Sequence, residues 1–77
     1  MENRWITHDL YIAAFCLANG MKLLDTIRYG SRVKFVFEDT PTRHKIISGY
    51  FNNTLPVYPR IYRESLQTLK DLIFQEE

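Results

Sequence analysis

The sequence has few of the features that stabilise or localise a small protein. Cys16 is its only cysteine among 77 residues, which excludes an intramolecular disulfide framework and a zinc site built from thiolates. No apolar run reaches the roughly 18 residues of a membrane span, and no secretory signal peptide is recognisable. The net charge of +1 excludes a histone-like polycation. We therefore expect one domain over residues 1–77, cytoplasmic and without membrane contact.

Sequence motifs for catalysis are also missing. A Gly-rich phosphate loop, a G-x-S-x-G turn and an H-E-x-x-H pair do not occur in the chain. His8 and His44 lie on different predicted helices, and neither has a second ligand at metal-binding spacing. Cys16 lies in an apolar segment, which predicts an inert buried thiol. We expect no enzyme activity, no metal and no cofactor.

An apolar helix is the clearest element present. Every residue of Leu10–Ala18 is apolar, which is typical of a helix buried on more than one face. Thr7 is the predicted N-cap, with Asp9 in the first turn, and Gly20 suits a left-handed stop. Residues 1–6 are expected to be irregular, with Trp5 and Ile6 docked on the domain.

A β-hairpin is predicted to follow, with strands over residues 21–29 and Arg32–Glu38. Gly30-Ser31 is suited to the centre of a type II′ turn. The second strand directs Val33, Phe35 and Phe37 to one face. A two-residue loop places Leu24 and Thr26 on that face, and a three-residue loop places Leu23 and Ile27 there, so the register stays open.

Two further helices complete the prediction. The first has Thr40 as N-cap and Pro41 at its first position, and Asn52-Asn53 ends it. Its apolar stripe consists of Ile46, Ile47, Tyr50 and Phe51. The second opens at Pro59, and its stripe consists of Tyr62, Leu66, Leu69 and Ile73. The expected fold is α+β, in the order helix–β-hairpin–helix–helix, with a two-stranded antiparallel hairpin packed on three helices.

Residues along nearly the whole chain resemble a known family. They include Asp9-Leu10-Tyr11, Ala13-Ala14-Phe15, Leu17-Ala18, Gly20, Leu23-Leu24-Asp25, Val33 to Thr40, Tyr50-Phe51-Asn52, Tyr62 and Leu69-Lys70. This pattern, from about Thr7 to Phe74, resembles a small domain-of-unknown-function family of Firmicutes and their phages or mobile elements. The resemblance implies a bacterial or phage origin and a cytoplasmic location, and it carries no activity or catalytic residue.

Charge is distributed unevenly along the chain. Residues 28–63 hold seven basic against two acidic residues, whereas residues 64–77 hold one basic against four acidic residues. A hairpin ribbon fits a major groove, and basic side chains bind phosphates. The nucleic-acid-binding hypothesis names Arg28, Tyr29, Arg32, Lys34, Arg43 and Lys45. The plain alternative is that these are ordinary charged surface positions without a recognised binding motif.

Aromatic residues support a second hypothesis. Trp5, Tyr11, Tyr29, Tyr58 and Tyr62 exceed what so small a core easily accommodates, and aromatics are favoured at interfaces. A domain of this length without disulfide or metal often gains support from self-association. Tyrosines can instead bury their rings and leave their hydroxyls in water. We therefore expect an accessory protein that acts by binding, with nucleic acid or a protein partner, including a homo-oligomer, as near-equal candidates.

Overall fold

Three helices cover one side of a three-stranded antiparallel sheet in the computed structural model, which describes residues 3–75. The elements are, in chain order, β1 (Arg4–Thr7), α1 (Leu10–Ala18), β2 (Leu23–Tyr29), β3 (Arg32–Glu38), α2 (Arg43–Asn52) and α3 (Pro59–Ile73). The α+β class agrees with the prediction. The two-stranded sheet does not, because the observed strand order is β1-β3-β2.

The additional strand comes from the segment that was expected to be irregular. Residues 1 and 2 lie outside the described residues, and β1 pairs antiparallel with β3 from Arg4 opposite Glu38 to Thr7 opposite Phe35. Strand β3 is rich in strand-forming residues and has two edges. Strand β2 pairs with the main-chain N–H and C=O groups along one edge, and β1 pairs with those along part of the other. The predicted docking of Trp5 is confirmed, since its ring lies 6.1 Å from that of Phe37.

The hairpin turn resolves the register that the sequence left open. Tyr29 pairs with Arg32, so the loop is Gly30-Ser31. Gly30 has a φ of 61°, and the left-handed value at the first central position matches the predicted type II′ turn. The two-residue loop sets Thr26 opposite Phe35.

A bulge then changes the register further along β2. It lies between Leu23 and Asp25, and it sets Leu23 opposite Phe37. The two-residue loop alone would have directed Leu24 to that face. One extra residue in the strand exchanges the two side chains, which no pattern in the sequence announces.

Helix α1 lies at the centre of the core, as predicted. Ala13, Ala14 and Cys16 have no exposed surface, and the small alanines let α1 pack closely against its neighbours. Its N-cap is Asp9 rather than Thr7. Asp9 Oδ1 accepts hydrogen bonds from the main-chain N–H groups of Tyr11 at 2.9 Å and Ile12 at 3.0 Å. Asp9 is the better placed acceptor because Thr7 belongs to β1. The stop at Gly20, with a φ of 93°, is confirmed.

Helix α2 begins later than predicted. Its N-cap is Thr42 and its first residue Arg43, so the prediction of Thr40 as N-cap and Pro41 at the first position is wrong. Pro41 and Thr42 form a turn, and the carbonyl of Thr40 accepts a hydrogen bond from the Arg43 N–H at 3.1 Å. The side chain of Arg43 bonds back to Asp39, which favours this later start.

The apolar stripe of α2 is only partly buried. Ile46 is buried, and Ile47 and Tyr50 pack against the core. Phe51, predicted as part of the stripe, is 67% exposed, with its ring edge-on to Tyr50 at 5.3 Å. The predicted end of the helix is confirmed, because Asn53 adopts a left-handed φ of 57°.

Helix α3 agrees with the prediction. Pro59 stands at its first position, and its apolar stripe packs against α1 and the sheet with Leu69 fully buried. The hydroxyl of Tyr62 reaches the Tyr11 carbonyl at 3.5 Å. Within residues 3–75, no helix combines the length and the apolar character that a bilayer crossing requires.

Candidate functional site

The sheet has one covered and one uncovered face. Opposite residues of an antiparallel pair project to the same face. Phe35 and Phe37 join the core cluster with the helices, and their neighbours Trp5 and Leu23 pack against it. The residues between them on β3 therefore project away from the helices. Val36 is one of these, and it is absent from the core cluster although only 2% of its surface is exposed.

We call this uncovered surface the open face. By the register, its side chains are Arg4, Ile6, Asp25, Ile27, Tyr29, Arg32, Lys34, Val36 and Glu38. They come from all three strands, so the face exists only because β1 joins the sheet. The hairpin residues Tyr29, Arg32 and Lys34 were singled out from the sequence. Ile6 and Ile27 were not, because β1 was not predicted and the register of β2 stayed open.

The centre of the open face is apolar. Ile6 stands opposite Val36 on one side of β3, and Ile27 lies one row nearer the hairpin turn on the other side. Ile6 is 48% and Ile27 42% exposed. An antiparallel sheet with one solvated face usually alternates apolar inward and polar outward residues. The half-exposed Ile6 and Ile27 at outward positions depart from that alternation.

Charge on the open face is polarised along the strands. Arg32 and Lys34 lie toward the hairpin turn, and the Lys34 Nζ is 5.2 Å from the centre of the Tyr29 ring. Glu38 lies at the opposite end of β3, and Asp25 lies beside Val36. The surface therefore has a basic end at the hairpin turn, Asp25 beside its middle row, and Glu38 with Arg4 opposite it at the other end.

Arg28 does not lie on the open face. It pairs with Val33, which directs it toward the helices. Its Nη2 donates to the Leu72 carbonyl at 3.3 Å and to the Ile73 carbonyl at the end of α3. Carbonyls at a helix C-terminus carry partial negative charge and have no N–H partner within the helix. A guanidinium supplies both a positive charge and hydrogen-bond donors. Arg28 thus joins β2 to α3.

Arg43 is also engaged within the domain. Its Nε donates to Asp39 Oδ1 at 2.8 Å, and its guanidinium lies 5.3 Å from the centre of the Trp5 ring. The hydrogen bond from Arg43 holds the pKa of the Asp39 carboxyl below its ordinary value. Lys45 is exposed on α2. The six residues of the nucleic-acid hypothesis are therefore divided between the open face, the end of α3 and the α2 region.

Buried titratable groups are few in the described part of the chain. Burial raises the pKa of the Cys16 thiol to about 11, which keeps it protonated and weakly nucleophilic. Burial also raises the pKa of Tyr62, with smaller contributions from Tyr50 and Tyr11. Across residues 3–75, no group of three or more His, Cys, Asp or Glu side chains could hold a metal ion.

The described surface also carries depressions. One of about 180 Å³ lies beneath the hairpin turn, with apolar walls from Leu10, Val33 and Ile73. Another of about 500 Å³ lies between the end of α1 and the start of α3, with Tyr58 and Ile61 in its lining. Pockets for small ligands usually span about 300–1,000 Å³ and bury most of the ligand, so the first is below that range and the second lies within it.

Together these observations define a small α+β domain, with helices on one side of its three-stranded sheet and the open face on the other. The chain belongs to the family described as Domain of unknown function (DUF5659), whose model matches residues 2–75. The resemblance to a family of unknown function is thereby confirmed. No curated protein matches the chain, and no solved structure matches it.

Proposed function

We propose that this protein acts by binding rather than by catalysis, and that the open face is its binding surface for another protein chain. It would do so as a small cytoplasmic accessory protein of a bacterium or phage. The observation that carries the proposal is the pair of half-exposed isoleucines, Ile6 and Ile27, on the side of the sheet that the helices leave uncovered. Interfaces between proteins combine such apolar side chains with a polar rim.

The charges of the open face favour protein over nucleic acid. Asp25 and Glu38 share the surface with Arg32 and Lys34, and carboxylates repel a phosphate backbone. Two of the residues first assigned to phosphate contact, Arg28 and Arg43, are occupied by partners inside the domain. A protein partner can complement both signs of charge.

Site-specific photo-cross-linking tests this proposal. A photoreactive residue replaces Ile27 on the open face, and a matched variant carries it at Ile61 on α3; the two side chains are 42% and 43% exposed. We expect a discrete protein adduct in cells of the natural host from position 27 and none from position 61. Equal adducts from both positions, or none from position 27, would contradict the proposal.

Nucleic acid is a second candidate, supported by one cluster at the hairpin turn. Tyr29, Arg32 and Lys34 present an aromatic ring beside two cations, an arrangement that suits a stacked base next to a phosphate. Fluorescence anisotropy with labelled single strands and duplexes at low salt tests it. Arg32→Ala with Lys34→Ala should abolish binding, whereas the control Arg60→Ala with Arg63→Ala should preserve it. Equal losses from the two pairs would indicate general charge attraction and remove the candidate.

A further inference from the structure

We propose that the partner of the open face is a second copy of this chain, bound face to face about a two-fold axis. The inference rests on the proposed function, because it names the occupant of the same surface. In an isologous interface the same patch serves both subunits, so the patch must complement itself. The open face satisfies that requirement through the order of its charges.

Opposite charges stand at the two ends of one strand. Arg32 and Glu38 are the first and last residues of β3, and both project to the open face. Their Cα atoms are six residue steps apart along an extended strand, which is about 20 Å. Lys34 follows Arg32 in the outward row of β3, and Asp25 on β2 stands opposite Val36. The sign of charge therefore changes along the strand direction.

This polarity selects one orientation of the second copy. Side chains that stand opposite one another on neighbouring strands form a row. A two-fold axis that is parallel to the sheet and perpendicular to the strands reverses the order of the rows. Arg32 of each subunit then meets Glu38 of the partner subunit. An axis along the strands would set Arg32 against its own equivalent and Glu38 against its own equivalent. Like charges brought together in an interface oppose association.

The middle rows of the open face lie over one another in the selected arrangement. The axis passes between the rows of Lys34 and Val36, so Ile27 on β2 lies over Asp25 of the partner subunit and Ile6 on β1 lies beside Lys34 of the partner subunit. Two sheets packed this way form an aligned sandwich about 10 Å apart. The flexible stem of Lys34 lets its ammonium reach the carboxylate of Asp25 of the partner subunit, which lies on the strand beside Val36.

Arg4 lies outside the central contact. It stands at the Glu38 end of the face on β1, and it already has an interaction within the chain. Strand β1 covers only the half of β3 from Phe35 to Glu38. Row reversal therefore places Arg4 over the half of the partner sheet that β1 does not reach, one strand spacing to the side of the partner's Arg32. Glu38 keeps acceptor capacity, since a carboxylate has about four lone-pair sites.

The size of the face sets the strength of the dimer. Three strands are about 14 Å wide and seven residues about 24 Å long, and because β1 has only four residues the footprint is below about 340 Å² per subunit. Stable complexes bury about 800 Å² per partner, and smaller interfaces are weak or transient. We therefore expect a dimer that dissociates at micromolar concentration and accumulates toward millimolar concentration.

Analytical ultracentrifugation with charge-reversal variants tests the inference. The wild-type mass should rise from 9.2 kDa toward twice that value with concentration. Arg32→Glu and Glu38→Arg should each weaken dimerisation by about tenfold or more, because each places two like-charge pairs in the interface. The double variant and an equimolar mixture of the two single variants should both restore it. Arg63→Glu on α3 makes the same charge change elsewhere and should have no effect.

The outcomes separate this inference from the proposed function. A photo-adduct at position 27 with twice the protomer mass, lost in Arg32→Glu, supports both. A discrete adduct with a different protein, with wild type monomeric to about millimolar concentration, overturns the second copy and leaves the binding function standing. No adduct at position 27, with wild type monomeric to about millimolar concentration, overturns both. Circular dichroism establishes that each variant is folded. If the double variant fails to restore association, the proposed orientation of the two-fold axis is contradicted.

Discussion

Arg28 on β2 donates a hydrogen bond from Nη2 to the main-chain carbonyl of Leu72, 44 residues further along the chain, at 3.3 Å. A second hydrogen bond reaches the carbonyl of Ile73. This side chain joins the hairpin, close to its turn, to the C-terminal end of α3. The residue belongs to the fold rather than to the binding surface.

Replacement of Arg28 by alanine should destabilise the protein by on the order of 1 kcal/mol. The last carbonyls of α3 would lose a charged donor, and exposure to water limits the loss. Urea unfolding followed by circular dichroism measures the change. Arg32→Ala, four residues along on the outward side of the hairpin, is the control and should stay within about 0.5 kcal/mol of wild type. Equal destabilisation by the two variants would contradict the structural role of Arg28.

Gly49 to alanine should destabilise the protein by about 1–3 kcal/mol, although alanine is the better helix former. A Cβ at Gly49 would overlap the Cβ of Leu55 and lie 3.3 Å from its Cδ2. The link that leads toward α3 crosses α2 at this glycine, so the overlap would force the two segments apart. Ser48→Ala is the matched control in the same helix, and thermal unfolding compares the two. A Gly49→Ala variant as stable as wild type would show that the link moves freely.

Acid should weaken the contribution of Asp39 to stability. The Arg43 hydrogen bond lowers the pKa of Asp39 in the folded protein below its ordinary 3.8. A group with a depressed folded pKa stabilises the protein above its unfolded pKa, and that contribution is lost as the pH falls through the folded pKa. The stability difference between wild type and Asp39→Asn should therefore be constant near neutrality and shrink below about pH 4. A difference that does not change with pH would exclude the ion pair as its source.

The thiol of Cys16 should react with a thiol reagent only when the protein unfolds. Its pKa of about 11 in the folded state lies above the ordinary 9.0 because the side chain is buried. A raised folded pKa gives stability below the unfolded pKa, and that stability is lost as the pH rises from 9.0 toward 11. Labelling at pH 8 should follow the population of unfolded protein across a urea titration. Rapid labelling without urea would show that α1 opens locally.

Local patterns were enough to predict most elements. An entirely apolar Leu10–Ala18, a Gly-Ser turn, and a proline at the start of α3 each depend on neighbouring residues, and the structure has all three. The N-caps of α1 and α2 were misplaced by two residues. Several residues near each start could serve as caps, and distant contacts such as the strand pairing of Thr7 decide among them.

The candidate site was harder to predict than the fold. Tyr29, Arg32 and Lys34 were found because they surround a recognisable turn. Arg28 was assigned to the same surface, yet the strand pleat turns it toward the helices. Ile6 was missed as a surface residue, because it reaches the open face only through the pairing of β1 with β3.

The amino-acid sequence by itself determined the α+β class, the central apolar helix, the hairpin turn and the uneven charge along the chain. These depend on local propensity and on periodicity within single elements. Only the tertiary structure decided that residues 4–7 form a third strand, that a bulge sets Leu23 opposite Phe37, and that the basic residues separate between an internal brace, an ion pair and the open face. Strand pairing joins segments about 30 residues apart, and the face that each side chain takes depends on a register that shifts with a single residue.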